Sequence, residues 1–326
     1  MNKNASASDR DEALLVINNW RASHSFPLNT MQVSLRRKVA LVEEGPLVAQ
    51  RLKRLTSIVA KLEDKPAMDF ARMHDIGGCR GVLTNIAAVD QVVDLFKTSK
   101  HKHRLHREDD YILRPQSSGY RSHHLVYRYF SDRMTTYNGL SIEVQIRTRL
   151  QHAWATAVET VGMFTRQSLK SSKGEAEWLR FFALMSSRIA YVEGTPPVPG
   201  TPASQRELRA EVRRLGRELD VDNKLWAYND TLQSIDSETS STGAGKFYML
   251  QLDVTEDEAY LTTTSFANLE EATDAYARKE LDSTSTPGAD VVLVSVEAAS
   301  SLRRAFPNYY ADTEVFRRLV RQTIGT

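Results

Sequence analysis

Two spacings of apolar residues divide the chain. Residues from about 10 to 62 show helical periodicity broken by SHSFP and EEGP, which predicts a helical lead-in. In VAQRLKRLTSIVAKL, Val48, Leu52, Leu55, Val59 and Leu62 gather on one arc, with Arg51, Lys53, Arg54, Ser57 and Lys61 on the other. We expect one amphipathic helix with a cationic stripe there, which could equally be a solvated basic face. From 75 to 148 the pattern shortens to β-rich runs, CRGVLTN, SHHLVYRYF and LSIEVQIRT, around a helix near AAVDQVVDLFK.

This alternation implies an α/β (α+β) fold with a mixed central sheet flanked by helices. Helices over LQHAWATAVETVGMF and EAEWLRFFALMSSRIAYV follow, and EGTPPVPGTP then stops regular structure. We expect three parts: a first domain over 1–192, a linker and helical connector over 193–245, and a small α+β domain over 246–326. The connector contains the charged helix ASQRELRAEVRRLGRELD and the soft segment DSETSSTGAG. The last part has strands near KFYMLQLDV, AYLTTTSF and DVVLVSV, a helix near LEEATDAYARKEL, and helices around FPNYYADTEVFRRLVRQ.

Composition narrows the class without naming a partner. With 41% hydrophobic and 26% charged residues and a net charge of +2, the 326-residue chain has the makeup of a soluble globular protein. One cysteine, Cys79, cannot form an internal disulfide, which fits a reducing, cytoplasmic setting. No apolar run reaches the roughly 20 residues of a membrane span.

The chemistry concentrates on LSIEVQIRT. Along a strand Ile142, Val144 and Ile146 point one way and Glu143, Gln145 and Arg147 the other. A wet sheet face would satisfy the same pattern. An ionised Glu can hold Mg²⁺ or accept a hydroxyl proton, and Arg offers a fork for phosphate oxygens, so the trio also suits phosphoryl chemistry. Asp75 before Gly77-Gly78 is either a second hard oxygen ligand or a turn former, with Arg80 just inside the next strand. Ser118 and Gly119 make a turn that would present Tyr120 for stacking on a base or for packing. Arg121 and His124 follow, and His152, Thr156 and Glu159 share one side of the next helix.

Taken in order, RLKRLTSIVAKL, HDIGGCRGVL, SSGYRSHH and IEVQIRTRLQHAWA resemble the synthetase domain of the RelA/SpoT family over about residues 45 to 165. The resemblance implies an ATP pyrophosphokinase that moves the β,γ-pyrophosphate of ATP to a ribose 3′-hydroxyl and releases AMP, with Mg²⁺ required. It assigns Arg51, Lys53, Arg54, Ser57, Lys61 and Arg80 to ATP, and Asp75 and Glu143 to metal and catalysis. Tyr120, Arg121, His124, Gln145, Arg147 and His152 fall on the acceptor side. No HD-type hydrolase motif precedes the synthetase motifs, so no degradation activity is expected.

Alarmone synthetases carry a Lys shortly before the Gly-Tyr pair, whereas Pro115 is followed here by Gln116. The departure removes a contact to the 5′ phosphates of GDP or GTP and points to the tRNA 3′ CCA end as acceptor, with (p)ppGpp synthesis as the alternative. The stretch KTSKHKHRLHR, with five Lys/Arg and three His, could track a tRNA backbone or be a solvated loop. A non-catalytic nucleotide-binding regulator would keep the fold without the reaction.

The carboxy-terminal RRAFPNYYADTEVF resembles the end of CapRel-type fused toxin–antitoxin proteins. The likeness implies that Phe306 and Tyr309 block the ATP site, and that a phage protein releases the block in phage defence. The same aromatics could merely close a small core.

Overall fold

The computed structural model describes residues 7–45, 47–165, 169, 175–236, 247–254, 259–284, 289–295 and 302–325. The soft segment expected at 236–245 falls, beyond Asp236, outside the described residues. Helices α1 (Ala7–Ser23) and α2 (Ser25–Ala40) open the chain. Pro27 sits in the first turn of α2, where a missing N–H costs nothing.

The expected cationic helix does not form as one element. Leu47–Leu52 is strand β1, and only Leu55–Asp64 is helical, as α3. Val48, Ala49, Gln50 and Leu52 are all buried, so β1 has side chains packed on both faces. Such a strand loses its alternation, and its period cannot be told from that of a helix. Pairing decides the matter: β1 runs antiparallel to β2 (Gly77–Leu83), and Lys53 N–H extends the ladder to Ile76 O at 2.8 Å.

After β2 come α4 (Ile86–Lys97), β3 (Arg104–Asp110), β4 (His123–Arg128) and β5 (Ser141–Thr148). The second half of the basic stretch is thus edge strand β3 rather than a loop. Its charges meet local acids, Lys97 with Glu108 at 3.0 Å and Arg107 with Asp109 at 2.6 Å. Helices α5 (Arg149–Phe164), α6 (Ala176–Glu193), α7 (Gln205–Glu218) and α8 (Val221–Asp236) follow. The remainder is β6 (Phe247–Val254), β7 (Ala259–Phe266), α9 (Leu269–Thr284), β8 (Ala289–Ser295), α10 (Leu302–Ala305) and α11 (Glu314–Ile324).

Among the described residues eight strands form one mixed sheet in the order β3-β4-β5-β2-β1-β8-β6-β7. The carboxy-terminal strands join through Gln50↔Ser295 and Arg51↔Val294. On one face Ile142, Val144 and Ile146 pack with Met31 and Leu35 of α2 and with Val89, Val92 and Phe96 of α4. The other face carries Glu143, Gln145 and Arg147, and register aligns them with His124 of β4 and with Gly78 and Arg80 of β2. Further along that face Ala49, Tyr248, Leu250, Val292 and Val294 are covered by Leu302, Phe306 and Tyr309.

The carboxy-terminal helix belongs to the helical layer. Phe316, Leu319, Val320 and Ile324 of α11 share a core with Trp154 of α5 and with Trp178 and Phe181 of α6. A cut near residue 200 would strip that core, so point substitutions are the cleaner probe of the carboxy-terminal part.

A buried ion pair also joins the chain's ends. Arg21 of α1 donates to Glu280 of α9 at 2.6 Å and to the Tyr276 hydroxyl at 2.9 Å. Glu280 accepts from Leu55 N–H at 2.6 Å, which caps the first turn of α3. Removing one partner of such a pair strands the other in the core. Glu280→Ala is therefore expected to lower unfolding free energy by about 3 to 5 kcal/mol in urea titrations, whereas an effect below about 1 kcal/mol would mean that the pair is solvated.

Candidate active site

Glu143 and Gln145 of β5 share one pocket with Arg51 of β1, Lys53 just after it, and Asp75, Gly78 and Arg80 around β2, whereas Arg147, the third polar residue of that strand face, does not line it. Glu143 is held from two sides. His124 Nδ1 lies 2.9 Å from one carboxylate oxygen, and Gln145 Nε2 donates to the other at 2.6 Å. The Tyr120 hydroxyl lies 2.9 Å from His124 Nε2 and completes a buried Tyr–His–Glu chain. Burial alone would push His124 down, but Tyr120 and Glu143 raise its pKa to about 10. Burial would raise Glu143, and His124 instead brings it below the ordinary carboxylate value.

Asp75 faces Lys53 at 2.7 Å and Lys61 at 2.9 Å. These ammonium groups overcome burial and lower its pKa to about 2. Asp75 in turn opposes ionisation of Glu143, so two carboxylates share one field. Among the described residues no group of three or more His, Cys, Asp or Glu side chains could hold a metal ion. Two carboxylates in one pocket still suit Mg²⁺, which binds through one or two such groups plus substrate phosphates.

Arg80 NH2 donates to Ala305 O at 2.7 Å, and its guanidinium stands 6.0 Å from the Phe306 ring centre. Burial, with Arg147 nearby, lowers the Arg80 pKa to about 9. The turn from β5 into α5 is fixed by Thr148 and Gln151, whose side chains cap each other's backbone at 3.1 and 3.2 Å. That cap brings His152 to Arg147, whose NH2 donates to His152 Nδ1 at 2.5 Å.

Several sequence-predicted residues sit elsewhere than expected. Tyr120 is buried at 7% exposure rather than displayed on an open loop. Gly119 explains this: at φ +93° a Cβ there would lie 2.9 Å from Ser186 and Trp154, so only glycine lets the turn press against α5 and α6. Arg121 turns away from the pocket, donating to Ser186 Oγ at 2.9 Å, Ile112 O at 3.0 Å and Pro196 O at 2.7 Å. It ties the Gly-Tyr turn to α6. Arg54, Ser57 and Lys61 do not wall the pocket. Arg54 pairs with Asp290 and donates to the Tyr309 hydroxyl at 3.3 Å, while Tyr309 donates to Asp290 at 3.0 Å. Lys61 reaches the site only through Asp75.

Phe306 is a wall of the same pocket. Sequence reasoning missed Asp290, Glu280 and the Ala305 carbonyl. Their arginine partners lie 225 to 259 residues away, beyond any local pattern.

Residues 50–164 match the family model described as a region found in RelA and SpoT proteins. These residues form a RelA/SpoT domain. Over 111 residues the chain is 32% identical to two GTP pyrophosphokinases of Bacillus subtilis (strain 168), YjbM and YwaC, covering 33% and 32% of this chain and 52% of each relative. The chain thus spans about half the length of the curated relatives it matches. Among solved structures, small alarmone synthetase 1 from Bacillus subtilis bound to its product pppGpp aligns with TM-score 0.46 and 23% identity, over 54% of this chain and 93% of that one. A GTP pyrophosphokinase family protein from Streptococcus pneumoniae aligns with TM-score 0.45 and 24% identity, over 55% and 89%. Among the described residues no helix is long and apolar enough to cross a membrane.

The raised His124 pKa gives the RelA/SpoT domain a stability signature. A His with a raised folded pKa stabilises fully below its unfolded value near 6.5, and the gain is lost as pH rises toward about 10. The gap in Tm between wild type and His124→Gln is therefore expected to narrow steadily from pH 6.5 to 10. A constant gap would show that the His124–Glu143 contact is not an ion pair.

Proposed function

We propose that this chain is an ATP-dependent pyrophosphokinase that transfers the β,γ-pyrophosphate of ATP to a ribose 3′-hydroxyl, and that its carboxy-terminal segment restrains it. One observation carries the reading: Arg51, Lys53, Asp75, Arg80, Glu143 and Gln145 of a RelA/SpoT domain converge on one pocket, and Phe306 lines it. In the reaction the acceptor oxygen bonds to the β-phosphorus, the bond from that phosphorus to the α-phosphate oxygen breaks, and AMP leaves. Glu143, aimed by His124 and Gln145, accepts the hydroxyl proton. Arg51, Lys53 and Arg80 meet phosphate charge from fixed positions, so catalysis is mainly positioning and electrostatics. Asp75 and Glu143 would hold Mg²⁺, which would neutralise charge on the triphosphate when bound.

The proposed acceptor is the tRNA 3′ CCA end, which would make the chain a translation-inhibiting toxin; the support is the Gln116 that stands where a phosphate-binding lysine is usual. A second reading, GDP or GTP as acceptor, is favoured by the relatives' description as GTP pyrophosphokinases. ATP labelled at the γ-phosphate, offered with deacylated tRNA, GDP and GTP, separates the two. Label on tRNA is expected, and label only on guanine nucleotides would replace the first reading with the second.

The proposed restraint uses Phe306 in the pocket, Ala305 O on Arg80, and Tyr309 with Asp290 on Arg54. Because β8 pairs with β1 and α11 lies in the helical core, release needs only the segment around 302–311 to lift, with the sheet left intact.

A further inference from the structure

The sheet face that carries Glu143 bears a second group of basic side chains at its β3–β4 edge, none of them a wall of the Glu143 pocket. Arg104 and Arg128 are direct cross-strand partners. Like charges placed opposite each other destabilise a sheet, and an anion between them removes that cost. Val126 pairs with Glu143 and Arg128 with Ser141, so Arg128 shares the catalytic face two residues along β4. Strand β3 is bulged there: its register shifts between Leu105 and Arg107, leaving His106 as the extra residue. Bulges beside active sites re-aim a side chain, and the His106 ring meets His74 edge-on at 4.9 Å.

His74 directly precedes Asp75, which links the edge group to the pocket. Asp109 balances Arg107 through contacts of 2.6 and 3.0 Å. Arg104 and His106 are exposed, and Arg128, half-buried, donates one N–H to Gly139 O at 3.0 Å and keeps further donors on its fork. From β5 to β3 is two strand spacings, about 10 Å, a reach comparable with one nucleotide.

We propose that Arg104, His106 and Arg128 form a subsite for the phosphate attached 5′ to the acceptor's reacting ribose, which lies across the β3–β4 edge while the 3′-hydroxyl reaches Glu143. The inference rests on the reading of the Glu143 pocket as the transfer site. A free nucleoside diphosphate and the 3′ end of a polynucleotide both present such a phosphate.

The test is binding to the full chain, so it stays distinct from any failure of the transfer reaction. Fluorescence anisotropy would follow a labelled single-stranded oligoribonucleotide ending in CCA with a free 3′-hydroxyl, and a parallel titration would follow labelled GDP. The proteins are wild type, Arg104→Gln, Arg128→Gln, the double variant, and Arg37→Gln on α2 across the sheet as a control for bulk charge. The double variant is expected to bind about 10-fold more weakly at low salt, with a salt slope shallower by about 0.7 for each phosphate that is no longer neutralised, and Arg37→Gln to match wild type. Weakening confined to the oligoribonucleotide assigns the subsite to a chain phosphate, and weakening confined to GDP assigns it to a free nucleotide. The proposal is overturned if the double variant, with an unchanged Tm, binds both probes like wild type, or if wild type binds neither.

Discussion

Glu143→Gln is expected to lower AMP formation from ATP by about 10³-fold or more, the scale of losing a general base together with one electrostatic contact in a closed site. The substitution keeps the side chain's size and leaves Gln145 and His124 in place. It removes the proton acceptor and the negative charge that makes Glu143 a metal ligand. It also removes the charge that helps hold His124 protonated, so burial then favours the neutral imidazole. Because that histidine can shed its proton, the fold is not left with a stranded buried charge, and Tm should fall by only a few degrees. AMP release measured with α-labelled ATP, beside a thermal melt, separates a chemical defect from unfolding. If the variant forms AMP at the wild-type rate, the pocket does not carry the reaction.

Opposite in sign, Phe306→Ala and Asp290→Asn are each expected to raise AMP formation by about 10- to 100-fold. Phe306 is 3% exposed, and truncating a buried Phe costs its packed state about 3 to 5 kcal/mol. Part of that penalty falls on the restrained arrangement alone, and every 1.4 kcal/mol of differential stability shifts an equilibrium tenfold. Asp290→Asn acts without creating a cavity, because it weakens the hold on Arg54 and on the Tyr309 hydroxyl. The two variants therefore guard each other: the first could simply loosen the core, whereas the second changes charge at a site about one-fifth exposed. A rise in both, with KM for ATP falling, supports occlusion. No rise in either while ATP binding is unchanged would mean that the carboxy-terminal segment does not restrain the pocket.

Strand β5 was the most legible part of the chain. Ile142, Val144 and Ile146 alternate with Glu143, Gln145 and Arg147, and because one face of β5 packs on apolar helices while the other carries polar groups, the alternation stays visible even though Arg147 is buried as well. The same rule explains the misreading at Arg51 and Lys53. Strand β1 lies between β2 and β8 with both faces covered, so its apolar residues ran together with those of α3 into one helical period. For Tyr120 the sequence left stacking on a base and packing open, and what decides that the ring is buried is Gly119 pressing against Trp154 and Ser186. The grip of Asp290 and Ala305 on Arg54 and Arg80 left no local trace, since those pairs join residues 236 and 225 positions apart. Composition was silent on the edge cations of β3 and β4, because their Asp and Glu neighbours cancel them in any sum.

The most direct test of the central claim follows both halves of ATP in one reaction. Phe306→Ala protein, with Mg²⁺ and ATP labelled in separate samples at the α- and γ-phosphates, is offered deacylated tRNA, GDP and GTP. A pyrophosphokinase restrained by its own carboxy-terminal segment should give AMP and pyrophosphorylated acceptor in equal amounts, with both products gone in the Phe306→Ala, Glu143→Gln double variant. ADP with free phosphate, or AMP with free pyrophosphate and no labelled acceptor, would contradict that claim.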